Sequence, residues 1–215
     1  MQATKIYDIL RAGGLTRAGA LGMLGNMMSE SGLKPNIAQR GMTTLSDEAY
    51  TKAADDGTIP FATDGVGFGL VQWTFHTRKA ALLAAAHYQG VSVGDGEFQV
   101  QFCLDELISD YPAVWKMLCT SSNVDECSDI VCKQYERPAV NNLETRRNYA
   151  RQFEREIKET KPKDPISATF PPDPSIMVLQ AVMQYNGYWG DITGYRSKEF
   201  FAALREFTSD MEGMK

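Results

Sequence analysis

Apolar positions along this chain fall mostly three and four apart, the helical spacing, and one long stretch breaks that rhythm. The spacing predicts a short helix over 4–11, closed by the turn at Gly13-Gly14. A second helix is predicted over 16–29, with Ala20, Leu21, Leu24, Met27 and Met28 as its apolar positions. Thr16 fits its N-cap, Gly32 its C′ glycine, and Pro35 follows. Residues 36–66 lose the period. Gly41, Asp55-Asp56, Gly57, Pro60, Asp64 and Gly65 there predict loops or a small β-hairpin. Helical spacing returns over 77–88, ended by Gly90, and over 97–110, with Phe98, Phe102, Leu104, Leu107 and Ile108 as candidate core. Asn123 and Glu126 make an N-x-x-E capping signal for a helix to about Tyr135. Asn141 and Glu144 repeat the signal for a helix to about Thr160, with Leu143, Ala150, Phe153 and Ile157 on one face. Residues 161–174 hold five of the nine prolines and predict a stiff, extended linker. Beyond it come a helix over 176–185, a Gly/aromatic turn over 186–190 and a helix over 198–209. The division is a domain over 1–160, the linker, and a small helical module over 175–215, which is short for an independent core.

One carboxylate stands out against this pattern. Glu30 falls in the last turn of the second helix. The helix dipole presents negative partial charge there, and the apolar neighbours disfavour an anion further. A carboxyl in such surroundings suits general-acid work; the plainer alternative is a surface Glu near a helix end. The run Gly65-Val66-Gly67-Phe68-Gly69-Leu70-Val71-Gln72-Trp73-Thr74 is the other unusual stretch. Alternate glycines suit a backbone that turns tightly or approaches a ligand. It has neither the Lys-Ser/Thr ending of a phosphate loop nor the dinucleotide spacing.

Composition narrows the classes. A formal net charge of −5, with 43% hydrophobic and 23% charged residues, describes a soluble globule and argues against a nucleic-acid partner. No apolar run reaches membrane-spanning length, so no membrane insertion is expected. The first seven residues lack the apolar core of a signal peptide. Cys103, Cys119, Cys127 and Cys132 form no C-x-x-C pair, and only two histidines are present, so the usual zinc spacing is missing and no metal or other cofactor is expected. Cys103 and Cys132 lie in apolar helical patterns and read as buried thiols, with one disulfide as the alternative. His76 near a helix start and His87 near a helix end read as surface or core residues and not as parts of a cysteine–histidine peptidase.

Several short pieces occur in a familiar order. They are Gly25-Asn26, Glu30-Ser31-Gly32-Leu33 with Pro35, then Phe61, Asp64 and the G-x-G-L-x-Q-W-T run. After these come Arg78-Lys79 with Leu82-Leu83, Gln101-Phe102 with Glu106-Leu107, and Tyr135-Glu136-Arg137-Pro138. Over about residues 12–155 the chain resembles the phage tail lysozyme family, within the wider lysozyme-like superfamily. The resemblance implies a lysozyme-like α+β fold, mostly helical with a small β-hairpin or loop region, and cleavage of peptidoglycan glycan strands. It implies that Glu30 is the catalytic acid, protonating the glycosidic oxygen. It implies that Phe68, Gly69, Leu70 and Gln72 line the sugar groove, with Gln72 binding an N-acetyl group or a water, or else satisfying buried backbone. Tyr135 would reach the cleft from its helix end, Trp73 would belong to the core, and Glu136 with Arg137 would form a structural ion pair. For a second carboxylate the first choice is Asp64, then Asp55 and Asp56, then Asp47 and Glu48. Many lysozyme-like enzymes, lytic transglycosylases included, work with one essential Glu. The C-terminal pieces Leu179-Gln180, Asn186-Gly187-Tyr188, Asp191-Ile192-Thr193-Gly194 and Ala203-Leu204-Arg205-Glu206-Phe207 faintly resemble a helical peptidoglycan-binding domain. They depart from it in length, and Tyr195-Arg196 stands where that pattern has Phe-Gly.

The expectation is therefore a phage-type muramidase, tail-associated or an endolysin, made in the host cytoplasm and acting on the bacterial cell wall from the virion or after release. Peptidoglycan is the expected partner, with phage tail or virion proteins as further ones. A lytic transglycosylase using the same Glu is the nearest alternative, and a non-catalytic wall-binding or virion module is the alternative of another class.

Overall fold

Thr16 and Gly32 bound the helix on which the other elements pack. A computed structural model describes residues 1–158. The Thr16 hydroxyl accepts a hydrogen bond from the Gly19 N–H, and Gly32, left-handed at φ 60°, donates its N–H to Met28 O. Between them α2 spans Arg17–Ser31 and is buried on nearly every side. A helix apolar all round belongs at the centre of a domain. Around it lie α1 (Ala3–Ala12), α6 (Pro112–Thr120), α7 (Val124–Ile130) and α8 (Leu143–Glu156). The remaining helices are α3 (Asp47–Asp55), α4 (His76–Gln89), α5 (Gly96–Ser109), and a π-helical turn over Val131–Glu136 that continues α7.

The described residues are mostly helical, as the pattern predicts, and the helices predicted among them fall at the predicted places. Two helices were not predicted. One is α3, inside the aperiodic stretch; Ser46 caps it through the Ala49 N–H, and only Tyr50 and Ala54 are buried. So few apolar positions leave little periodicity to read. The other is α6, which Pro112 opens at its first turn. The expected hairpin is reduced to two isolated antiparallel bridges, Ala38 to Phe68 and Phe68 to Trp73. The Gly-rich run folds back on itself there, Phe68 and Trp73 exchanging backbone hydrogen bonds of 3.1 and 2.9 Å. Cys103, Cys127 and Cys132 are buried thiols, each pushed up in pKa first by that burial. The linker at 161–174 and the module at 175–215 lie outside the described residues.

Close packing around α2 depends on its glycines. Gly19, Gly22 and Gly25 recur every third position and face α6, α7 and α8 in turn. A β-carbon at Gly22 would stand 2.7 Å from the backbone of Cys127 and Ser128, and one at Gly25 would stand 2.7 Å from Arg146 O. The obstacles are backbone atoms, which cannot swing aside. Gly25→Ala should therefore cost roughly 1–3 kcal/mol as an overpacked core position. Calorimetry should show this as a fall of about 3–10 °C in Tm, and an unchanged Tm would mean that α8 can move off α2 freely.

Candidate active site

The C-terminal turn of α2 opens into a groove of about 1140 Å³. Glu30, Ser31 and Gly32 form its end nearest α2. Gln39 and Arg40, Gln72 to Phe75 without Trp73, Arg78, Tyr111 and Glu136 to Ala139 are among its walls. The Glu30 side chain is 17% exposed, enough to meet a ligand while most of it is shielded.

A buried arginine holds this carboxyl. Arg146 projects from α8 with 4% of its side chain exposed and ion-pairs through Nη2 with Glu30 Oε1. Its Nη1 donates to Glu136 Oε2 at 2.5 Å and to Asn26 Oδ1 at 2.8 Å, and its Nε donates to Asn141 O at 3.0 Å. Asn26 is oriented in turn by donating from Nδ2 to Gly22 O and Ser128 O, at 2.8 and 2.9 Å. The guanidinium thus has a fixed place between α2, α8 and the π-helical turn. Glu136 therefore pairs with Arg146, which corrects the expected Glu136–Arg137 ion pair. Arg137 is left-handed at φ 51°, and its Nε donates to Gln134 O. A kink of this kind at the end of a helix turns neighbouring side chains apart.

Sequence reading passed over Arg146. The signal was present: 143, 146, 150, 153 and 157 follow one inward stripe, and Arg146 is its charged member. A charge at a core-facing position asks for buried partners.

The groove floor rests on another carboxylate. Glu106 accepts from Trp73 Nε1 at 2.9 Å, from the Tyr135 hydroxyl at 2.7 Å and from two nitrogens of Arg78, each at 2.7 Å. The Arg78 guanidinium also lies over the Tyr135 ring at 4.6 Å. Trp73 is core, as expected. Tyr135 is buried at this hub and does not reach the groove, because its hydroxyl is committed to Glu106. Burial first, then its neighbours, pushes Tyr135 up in pKa, so it stays neutral.

Of the expected groove residues, Glu30 and Gln72 line it. Gln72 sits at φ 51°, and its Nε2 donates to Gly69 O at 3.0 Å. Phe68, Gly69 and Leu70 lie beneath. Phe68 packs edge-on against Phe61, and Leu70 is fully buried. They shape the turn and stay off the surface.

Asp64, the first choice for a second carboxylate, is turned inward. It accepts from Lys79 Nζ at 2.5 Å, from the Tyr50 hydroxyl at 2.5 Å and from the Val66 N–H at 3.0 Å. Burial lowers the Lys79 pKa while Asp64 opposes the change. The other acidic candidates are also engaged away from the groove lining. Asp47 accepts from the Ala38 N–H, Asp55 from Ser92 and Val93, and Asp56 from Lys52, while Glu48 lies in the exposed first turn of α3. Of the groove residues that escaped sequence reading, Phe75 is the exposed aromatic. Phe75 is 66% exposed on the groove and stacks on His76. A lone aromatic between helix and turn gives no periodic signal.

The sequence model of the phage tail lysozyme family matches residues 1–156. The chain belongs to the phage tail lysozyme family. No curated protein matches the chain. Membership supports a lysozyme-like peptidoglycan hydrolase role in general. Among the described residues, no helix is long and apolar enough to cross a membrane.

Removing one partner of a buried ion pair strands the other charge, at about 3–5 kcal/mol. Asp64→Asn should therefore lower Tm by roughly 6–20 °C while leaving turnover per folded molecule within a few-fold of wild type. A large loss of turnover with Tm unchanged would return Asp64 to the chemistry.

Proposed function

We propose that this phage tail lysozyme family member is a muramidase that hydrolyses the glycan strand of bacterial peptidoglycan with Glu30 as its general acid. The observation that carries the reading is the position of Glu30. It stands in the C-terminal turn of α2, with one carboxyl oxygen fixed by Arg146 and the side chain opening into a groove large enough for several sugar rings. In its protonated form Glu30 would donate to the glycosidic oxygen as the C–O bond breaks, and water would complete the sugar left behind. A positioned acid of this kind contributes roughly 10²–10⁴-fold to a rate. Fixing by a guanidinium holds the carboxyl in one geometry, and that lowers the cost of reaching the transition state.

The groove walls suit a glycan. Phe75 offers an exposed ring face, the surface that the apolar side of a pyranose covers. Gln72 has amide atoms at the groove and a backbone already supported by Gly69. Lys34, Arg40 and Arg137 bring positive charge to the groove of a chain whose net charge is −5, and a wall strand with acidic stem peptides is anionic.

Glu30→Gln removes the acid and preserves shape, so reducing-end release from purified peptidoglycan should fall by roughly 10²–10⁴-fold while the variant still sediments with the wall. Mass spectrometry of the wild-type products should find muramic acid at the new reducing ends. Anhydro ends would assign a lytic transglycosylase instead, and substantial activity in the variant would mean that another group is the acid. Phe75→Ala should raise KM several-fold with kcat nearly unchanged, as expected for binding shared by ground and transition states. An unaltered KM would remove Phe75 from the glycan site.

A further inference from the structure

The assignment of Glu30 leaves its carboxyl neighbour unexplained. Glu136 is delivered by the last residue of the π-helical turn, with 2% of its side chain exposed. Such turns often mark functional positions within helices. Its Oε2 is held by Arg146, but its Oε1 is buried and has no hydrogen-bond partner among the described residues. Glu30 is paired to Nη2 of the same guanidinium whose Nη1 holds Glu136. Two ionised carboxylates there would leave an oxygen buried and unpaired and would set two negative charges on one positive charge. A proton on the pair removes the second negative charge and turns the unpaired Oε1 from an acceptor into a donor.

Resting on Glu30 as the acid, we infer that Glu30 and Glu136 hold one proton between them, and that Glu136 acts as a positioning residue by supplying Glu30. The shared proton moves from Glu136 Oε1 to Glu30, which gives that same proton to the glycosidic oxygen as the C–O bond breaks, and both carboxylates keep their pairing to Arg146. The proton released by the attacking water returns to the pair. One water is consumed, one proton leaves the pair and one comes back.

The charged and titratable surroundings fit this. Glu30 faces Glu136 from α2 and Arg146 faces it from α8, while Cys103 on α5 and Cys132 on the same turn are neighbours kept protonated by burial. Tyr135, next in the chain, is neutral and donates to Glu106. Asp129 on α7 is committed to Arg147 and Lys133. Burial first, then the charge of Glu30, pushes Glu136 well above the usual carboxyl range, and Arg146 opposes the shift without reversing it.

The test joins a pH profile with infrared spectroscopy. In wild type, the protonated-carboxyl stretch should persist at pH 7, and Glu136→Gln should abolish it. The alkaline limb of kcat on purified peptidoglycan should move down by about one pH unit in that variant, because the charge of a second carboxylate no longer holds the proton on the pair. Activity at low pH should stay within tenfold. A structural role alone would lower Tm and leave the limb in place. An unmoved limb, or a wild-type band already gone by pH 5, overturns the inference. The wild-type titration decides the matter even if Glu136→Gln does not fold. If Glu30→Gln remains active while the band is lost in Glu136→Gln, the acid assignment fails and the shared proton stands.

Discussion

Arg146 is the constraint on which this architecture turns. A guanidinium cannot shed its charge, so once buried it must be met by anions and acceptors on several sides. Here α2 supplies Glu30 and Asn26, the π-helical turn supplies Glu136, and the loop before α8 supplies Asn141 O. These partners reach it only because α2 and α8 touch backbone to backbone at Gly25. The glycine stripe and the arginine are therefore two parts of one device. The first sets the distance between helices, and the second uses that distance to fix a carboxyl at the end of the groove.

Four enclosed carboxylates divide the work by environment. Glu106 is saturated by Trp73, Arg78 and Tyr135, and it ties the Gly-rich turn, α4, α5 and the π-helical turn beneath the groove. Asp64 neutralises Lys79, whose Nζ also donates to Val66 O and the Tyr50 hydroxyl. Both are engaged by several donors of the scaffold. Glu30 and Glu136 differ because they share a single cation and border open space. Incomplete satisfaction is expensive in a core, and it persists at functional sites for that reason. Some pieces that carry the family resemblance, such as Trp73, Glu106 and Tyr135, hold the groove in shape, while others, such as Glu30, Gln72, Arg78 and Glu136, line it.

Most of the described helices were legible from the chain, α3 and α6 excepted. Apolar spacing, Thr16 and Gly32 were enough to place Glu30 in the last turn of a buried helix, because caps and periodicity are local and depend on a few neighbouring residues. The resemblance added the lysozyme-like reading, with which the family match agrees, and singled out Glu30. What the chain could not show by itself was which polar residues would be spent on the scaffold. Asp64 and Gln72 are close in sequence, one just before the Gly-rich run and one within it, yet one is locked to Lys79 and the other lines the groove. Glu136 pairs with a residue ten positions on and borders one more than a hundred positions back. Those choices depend on how helices cross, and a crossing is decided by backbone approach at positions such as Gly25, long-range facts that no local pattern encodes.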